Sequence, residues 1–343
     1  PACRQAGCSL KRLNMAELFL GIDLGGSHIS AQLLSRDGKN HSPFFKIDIG
    51  SDLNIGYLLN YLTSFVRSAR LAALNQGGRL VAVGLASPGP LEPNVGIIIS
   101  PPNLPGIKNF EVVRALQNVV GLQVFLINDA DAAVLGEAWL GSAQGFKNVI
   151  MLTLGTGIGS GIIANGKLQR GRGMGGEWGH TTIFFGDQRR LCSCKRWNCL
   201  EAFCGTEGLF KTYSRFFSSQ TCQEVSKKMI ENWKSDHAWE KVFGIYCRCL
   251  TEGIINIANV HHPECIVLGG GIAHSDIVEK VKESLRTPAN LCPNPPWTPY
   301  KLKILLRGLE IRLAILEHSG IIGAAKHAMD SHSIQIERPE VGC

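Results

Sequence analysis

Residues 18–26 read LFLGIDLGG, an apolar run that predicts a buried strand running into a pair of glycines. SHISAQLLSRDGK follows at 27–39, where alternating apolar and polar positions predict a second strand ending at an Asp37-Gly38 hairpin signal. From 53 to 74 the apolar residues fall three and four apart (Leu58, Leu62, Phe65, Val66, Ala69), a helical spacing that Asn75-Gln76-Gly77-Gly78 ends. RLVAVGLASPGPL, 79–91, predicts a strand meeting a Ser-Pro-Gly-Pro loop. A helix over FEVVRALQNVV (110–120) and a strand over QVFLIN (123–128) lead to a helix opening at Asn128-Asp129. VIMLTLGTGIGSGIIANGKLQRG, 149–171, predicts two strands with glycines between them and a tight turn at Asn165-Gly166. Residues 240–260 are helical in pattern, ECIVLGGGI at 264–272 is again a strand running into glycines, and helices are predicted over 275–286 and the apolar HSGIIGAAKHAM, 318–329. Strands alternating with helices predict an α/β fold. No period of 20–50 residues repeats.

Length and composition narrow the class. A chain of 343 residues suggests two domains and buries a core without staples, so its twelve cysteines are not needed as a disulfide framework. No leader pattern opens the chain, and no apolar run reaches the ~18 residues of a membrane span. A soluble protein in a reducing cytosol is expected, where a tight cysteine cluster means metal more often than disulfide. Thirty-five basic against 28 acidic residues give +7. Arg170, Arg172, Arg189, Arg190, Lys195 and Arg196 form a basic set suited to a solvated surface or to an anionic ligand such as a nucleotide. With no long basic helix or Arg-rich tail, a nucleic-acid partner is not expected.

Three glycine clusters, each just after a buried strand, carry the first chemical signal: Gly25-Gly26-Ser27 with Asp23 on the strand before it, Gly155-Thr156-Gly157 continuing to Gly161, and Gly269-Gly270-Gly271. Small residues at strand ends let phosphate approach backbone N–H groups. The second cluster runs G-x-G-x-G-x-G and so is not the dinucleotide fingerprint, while GIIANGKL (161–168) has Leu168 where a P-loop needs Ser or Thr. The second signal is GHTTIFFGDQRRLCSCKRWNCLEAFCG, 179–205. His180, Cys192, Cys194 and Cys199 supply one nitrogen and three sulfurs, which fill a tetrahedral Zn²⁺ shell and leave no place for a reactive water. The ion they predict is structural. Cys204 is a spare that could substitute or simply pack, and Cys247 and Cys249, two apart in a helix, point apart.

The motifs D-L-G-G-S (23–27), S-P-G-P-L (87–91), P-N-L-P-G (102–106), N-D-A (128–130), G-T-G-I-G-S-G (155–161), G-E-W-G-H (176–180), C-x-C-x4-C-L-E (192–201) and L-G-G-G-I (268–272) occur in this order. The series, over roughly 18–330, resembles the ROK family of repressors and sugar kinases, on its glucokinase-like side. The resemblance implies a two-lobed actin-like ATPase (ribonuclease H-like) fold with the active site in the interlobe cleft. A disordered extension is expected at 1–15, a first α/β lobe at 16–130, a larger second lobe at 131–317 carrying the zinc loop 180–199, a helix at 318–330 crossing back to the first lobe, and a disordered tail at 331–343. Three departures stand out. The family usually has Thr where Ser27 stands, Lys near His28, and glycines where Lys195 and Asn198 fall. If the cage turn needs positive φ there, lysine strains it more than asparagine.

The resemblance implies ATP-dependent phosphorylation of a hexose, glucose first, with fructose, mannose or an N-acetylhexosamine as alternatives and inorganic polyphosphate as an alternative donor. Asp129 follows a buried strand and opens a helix, so it is either a plain N-cap or, as the resemblance implies, the general base. Asn103, Asn128, Asp129, Glu177, His180 and Glu201 make a polar ring suited to a polyhydroxylated ligand. The zinc clamp would aim Glu177, His180 and Glu201 at the sugar. By resemblance Asp23 acts on Mg²⁺ through water, the turn from Gly155 meets phosphates and Gly269–Gly271 meet the adenosine side. The family also implies a homodimer or homotetramer. A sugar-sensing regulator is the rival from another class; the seventeen or so residues before the first strand are too few for a DNA-binding domain.

Overall fold

A computed structural model gives the structure, described for residues 15–50, 52–183, 189–217, 222–286 and 303–337. The extension expected at 1–15 lies outside the described residues except for Met15, and so does 338–343.

The first lobe is a five-stranded sheet built from β1 (Ala16–Leu24), β2 (His28–Ser35), β3 (Phe45–Asp48), β4 (Gly78–Ser87) and β7 (Gln123–Asn128), in the order β3-β2-β1-β4-β7. β1 pairs antiparallel with β2 and parallel with β4, and β4 pairs parallel with β7. The buried face of helix α1 (Ile55–Asn75), with Leu58, Leu62 and Val66, packs into the same core as Leu20, Ile22 and Leu85. Asn54 caps α1 by accepting from Tyr57 N. Helix α2 (Val112–Val120) precedes β7, and a small ribbon of β5 (Leu91–Glu92) and β6 (Ile97–Ile98) precedes the Asn103 loop.

The second sheet repeats the plan. Strands β8 (Val149–Leu154), β9 (Ile158–Ala164), β10 (Lys167–Leu168), β11 (Cys265–Gly269) and β12 (Glu310–Leu313) lie in the order β10-β9-β8-β11-β12. Their pairings match those of the first sheet: two antiparallel steps, then two parallel ones. Helix α3 (Asp129–Leu140) joins the sheets. Helices α4 (Glu201–Cys204), α5 (Thr206–Tyr213), α6 (Cys222–Asn232), α7 (His237–His261) and α8 (Ser275–Arg286) enlarge the second lobe. The parallel strands deliver Asp23, Asn128, Leu154 and Gly269 at their carboxyl ends, where open α/β sheets bind ligands.

The last helix, α9 (Ser319–Glu337), returns across β1 and β4 of the first lobe and packs along α3. Glycines permit the approach: a Cβ on Gly84 would strike the Ala324 carbonyl, and one on Gly323 would strike that of Ala132. Two expectations are corrected. The tail expected from 331 is helical to Glu337, because His332 Nδ1 pairs with Gln123 Oε1 and Ser333 Oγ accepts from Arg36, pinning the last turns. A lobe boundary at 130/131 falls inside α3, a continuous helix buried from Ala130 to Val134 that touches both sheets.

Candidate active site

Asp129 owes its position to its neighbour. Asn128, extended at the end of β7, caps α3 by accepting from Ala130 N at 2.9 Å and Asp131 N at 3.2 Å, so the capping role falls to Asn128. The Asp129 carboxylate takes a further 2.8 Å bond from Ala130 N, and the Asn128 side chain also hydrogen-bonds to it. It is open to the cleft yet crowded by the walls on either side. Desolvation pushes its pKa up; the Ala130 N–H pulls it partly back and the charge of Glu177 adds to the rise.

Two adjoining cavities meet at this residue. The larger, about 660 Å³, is lined by Asn103, Asn128, Asp129, Glu177, His180 and Glu201, the whole predicted polar ring. Gly155, Thr156 and Gly157 line it as well, with Gly270 and Gly271 at its far side. The second, about 560 Å³, is lined by Asp23, Gly25, Gly26, Asp129 and Gly269–Gly271. Asp23 is pushed up to about 6, by burial first and the Asp129 charge second. Gly155–Gly157, expected on phosphates, thus lie on the larger cavity against Glu201. Ser27 lines neither: its Oγ is 3.1 Å from His28 Nδ1, and His28 lines a neighbouring 530 Å³ cavity with Lys46. Sequence reasoning missed Leu316, Glu317, Ser319 and Gly320, which wall the second cavity; the pattern predicts a helix from 318 but not that its start meets the cleft.

One ligand atom each from His180, Cys192, Cys194 and Cys199 lies within 4.8 Å of all the others. Cys194 and Cys199 sulfurs are 3.6 Å apart, and His180 Nδ1 is 3.6 Å from Cys192 Sγ. A tetrahedron of ~2.3 Å metal–sulfur bonds has edges of about 3.8 Å, so the set fits a zinc-sized ion with no open position. Cys204 does not join it: fully buried, its thiol faces the Tyr246 carbonyl. Cys247 and Cys249 are both buried in α7, which packs on several sides.

The turn between the cage cysteines has φ of +68° at Lys195 and +61° at Asn198. These are the two positions where the family that the chain resembles usually carries glycine. Asn198 recovers part of the cost, since its Oδ1 accepts from Arg190 N at 2.8 Å; Lys195 has no such return through its side chain. Lys195→Gly is expected to raise stability by about 1 kcal/mol with zinc content unchanged, read by denaturant melts and metal analysis.

Glu201 opens α4 and is held from two sides. Its Oε2 accepts from Ile158 N at 3.0 Å and its Oε1 from Ser193 Oγ at 2.7 Å. A turn of 3-10 helix, Trp178–His180, sets Glu177 and His180 beside it, fixed by Trp178 N donating to Ser160 Oγ at 3.0 Å.

Behind Asp129, Asp131 is 2 % exposed, and its Oδ1 has no hydrogen-bond partner among the described residues. Burial pushes its pKa to about 7; Arg170 opposes the rise while Asp129 and Glu177 add to it. The folded state therefore keeps this proton up to about pH 7, whereas an unfolded aspartate releases it near the ordinary value of 3.8. Stability is then lost as pH rises between the two. Asp131→Asn is expected to gain about 2–4 kcal/mol over wild type at pH 8 and nothing at pH 4, by urea melts at both.

Residues 19–329 match the ROK family, and the chain belongs to that family. It is 30% identical over 324 residues to a glucokinase of Halalkalibacterium halodurans, covering 89% of this chain and 93% of that one. It is 28% identical over 326 residues to a xylose repressor of Caldicellulosiruptor bescii, covering 87% of this chain and 76% of the repressor. The crystal structure of a ROK hexokinase from Thermus thermophilus superposes with a TM-score of 0.76 at 30% identity, over 92% of this chain and 99% of that one. The duplicated sheets are thus the two lobes of the actin-like ATPase fold that the resemblance implied. Among the described residues no helix is long and apolar enough to cross a membrane.

Proposed function

We propose that this chain is a sugar kinase that transfers the γ-phosphoryl group of ATP to a hydroxyl of a hexose, with Asp129 as general base. The carrying observation is that Asp129 lines both cavities at once, the one ringed by polar side chains and the one walled by Asp23 and the glycines after β11. A hydroxyl bound in the first would meet a phosphate held in the second at this carboxylate. The raised pKa of Asp129 supports the role, because a stronger base takes an alcohol proton more readily. Phosphoryl transfer otherwise needs alignment and charge neutralisation. The Gly26 N–H suits a nucleotide's phosphates, the Gly269–Gly271 turn suits its adenosine side, and Asp23 suits a Mg²⁺ ion held through water. That ion would supply charge neutralisation.

On the acceptor side, Asn103, Asn128, Glu177, His180 and Glu201 offer donors and acceptors on several sides of a ring. Asn128 has given its Oδ1 to the helix cap, and its NH₂ donates to the Asp129 carboxylate at the wall of the cavity. His180 turns Nδ1 to the cage, which leaves Nε2 for a hydroxyl. Zinc in the cage would fix these groups without taking part in the chemistry. The name of the H. halodurans relative puts glucose first; the same ring would hold fructose, mannose or an N-acetylhexosamine. A sugar sensor, as among the repressor relatives, would need the ring but not the base. ADP release measured across a hexose panel, with metal content on the same sample, decides: sugar binding without ADP formation would sink the kinase reading.

A further inference from the structure

We propose that Ser193, the residue between the cage thiols Cys192 and Cys194, is a positioning residue that aims Glu201 at the hexose; this rests on the kinase reading above. Glu201 sits at the head of a helix of only four residues, too short to set its carboxylate by itself. One side is fixed by Ile158 N on Oε2, beneath Gly157, where a Cβ would come within 2.5 Å of that oxygen. One bond leaves a carboxylate free to turn about it. The second, from Ser193 Oγ to Oε1 at 2.7 Å, fixes the plane.

The neighbouring thiol makes this bond more important. Cys192 Sγ lies 3.5 Å from the same Oε1 and, as a thiol, could donate to it. As a metal ligand it is a thiolate with no proton, so it repels the carboxylate. Ser193 has one proton to give and stands 2.7 Å from Oε1 but 3.7 Å from Cys192 Sγ, so the proton goes to Glu201. With the cage loaded, Ser193 is the side chain among the described residues that donates to Oε1. Its backbone is set by the cysteines on either side and by the turn that Lys195 N closes on Cys192 O at 2.9 Å. The shape of the cage is thereby passed to the sugar-facing carboxylate through a single hydroxyl. The free lone pairs of Glu201 remain for two sugar hydroxyls.

The test is calorimetric titration of D-glucose into the full zinc-loaded chain without ATP, for wild type, Ser193→Ala, Ser193→Thr, Glu201→Gln and the Ser193→Ala/Glu201→Gln double variant. Zinc stoichiometry and steady-state kinetics are measured on each. A hydrogen bond to a charged group predicts about tenfold weaker glucose binding and a matching rise in KM for Ser193→Ala, with kcat within about twofold. Zinc stays at the wild-type level, Ser193→Thr restores affinity, and the double variant binds no worse than Glu201→Gln alone. Wild-type affinity in Ser193→Ala, loss of its zinc, or further weakening in the double variant each overturn the inference while leaving the kinase reading intact. A wild-type chain that binds no hexose removes both.

Discussion

Asp129→Asn is expected to lower kcat by about 10²–10⁴ while glucose binding stays within about threefold of wild type. The amide matches the carboxylate in shape, and its oxygen can still take the 2.8 Å bond from Ala130 N, so the start of α3 is undisturbed. The cap itself belongs to Asn128 and is untouched. What would be lost is the group proposed to accept the hydroxyl proton as the phosphoryl group arrives. Wild-type kcat/KM should fall on the acid side at a pH above the ordinary carboxylate range, because burial and Glu177 raise Asp129 and the nearby Asp23 titrates at about 6. The two carboxylates repel each other, so this limb belongs to the pair. In the variant the limb should move to lower pH, because Asp23 loses the Asp129 charge that helps to raise it. A variant keeping more than a tenth of the wild-type kcat would remove the base assignment.

What was legible in the chain follows from how local each signal is. The candidate cage was readable because three thiols lie within eight residues and the imidazole twelve before the first, but spacing left Cys204 open as a substitute until its burial against Tyr246 O took it out of the set. The comparison with the family pattern flagged Lys195 and Asn198 as positions of possible positive φ, and the backbone supplies the answer at both. The role of Asp129 was not readable locally, since Asn128 and Asp129 are both good caps; only the extended backbone at Asn128 decides which one serves. The duplicated sheet order was hidden as well. A strand covered on both faces needs only apolar residues of suitable volume, so two sheets with the same pairing leave no repeat in the letters. Likewise the β8–β9 turn meets Glu201 through a contact 43 residues distant, and the wall at 316–320 is set by where α9 begins its return. Both depend on tertiary approach that periodicity does not encode.

Removing the ion should separate the architecture from the site. Cys199→Ser, or chelation of the wild-type chain, is expected to abolish zinc binding, lower Tm by about 5–10 °C and raise the KM for glucose by about ten- to a hundredfold. Cys199 is buried, and with Cys194 it forms one edge of the cage, so its loss leaves three donors around a site built for four. The apparent binding energy of a structural zinc is about 10–16 kcal/mol in small peptides, but here most of it orders one loop. The core of the first lobe contains no cage residue, and that of the second has its own large apolar set, so the chain should remain folded at 25 °C. Losses should concentrate where the loop meets the cavity. Thr181 O, which accepts from Leu200 N, and Asn198 O, which accepts from Ile183 N, tie the two limbs of the loop together. Without the ion His180 and Glu201 rest on these bonds and on those to Ile158 N, Ser193 Oγ and Ser160 Oγ, with nothing tying the thiols to the imidazole. Sugar affinity should therefore fall far more than nucleotide affinity, because the cavity lined by Asp23, Gly25 and Gly269–Gly271 includes no cage residue in its wall. Equal losses for both ligands would mean that the cage supports the whole cleft, and full glucose phosphorylation by a zinc-free chain would mean that it supports neither.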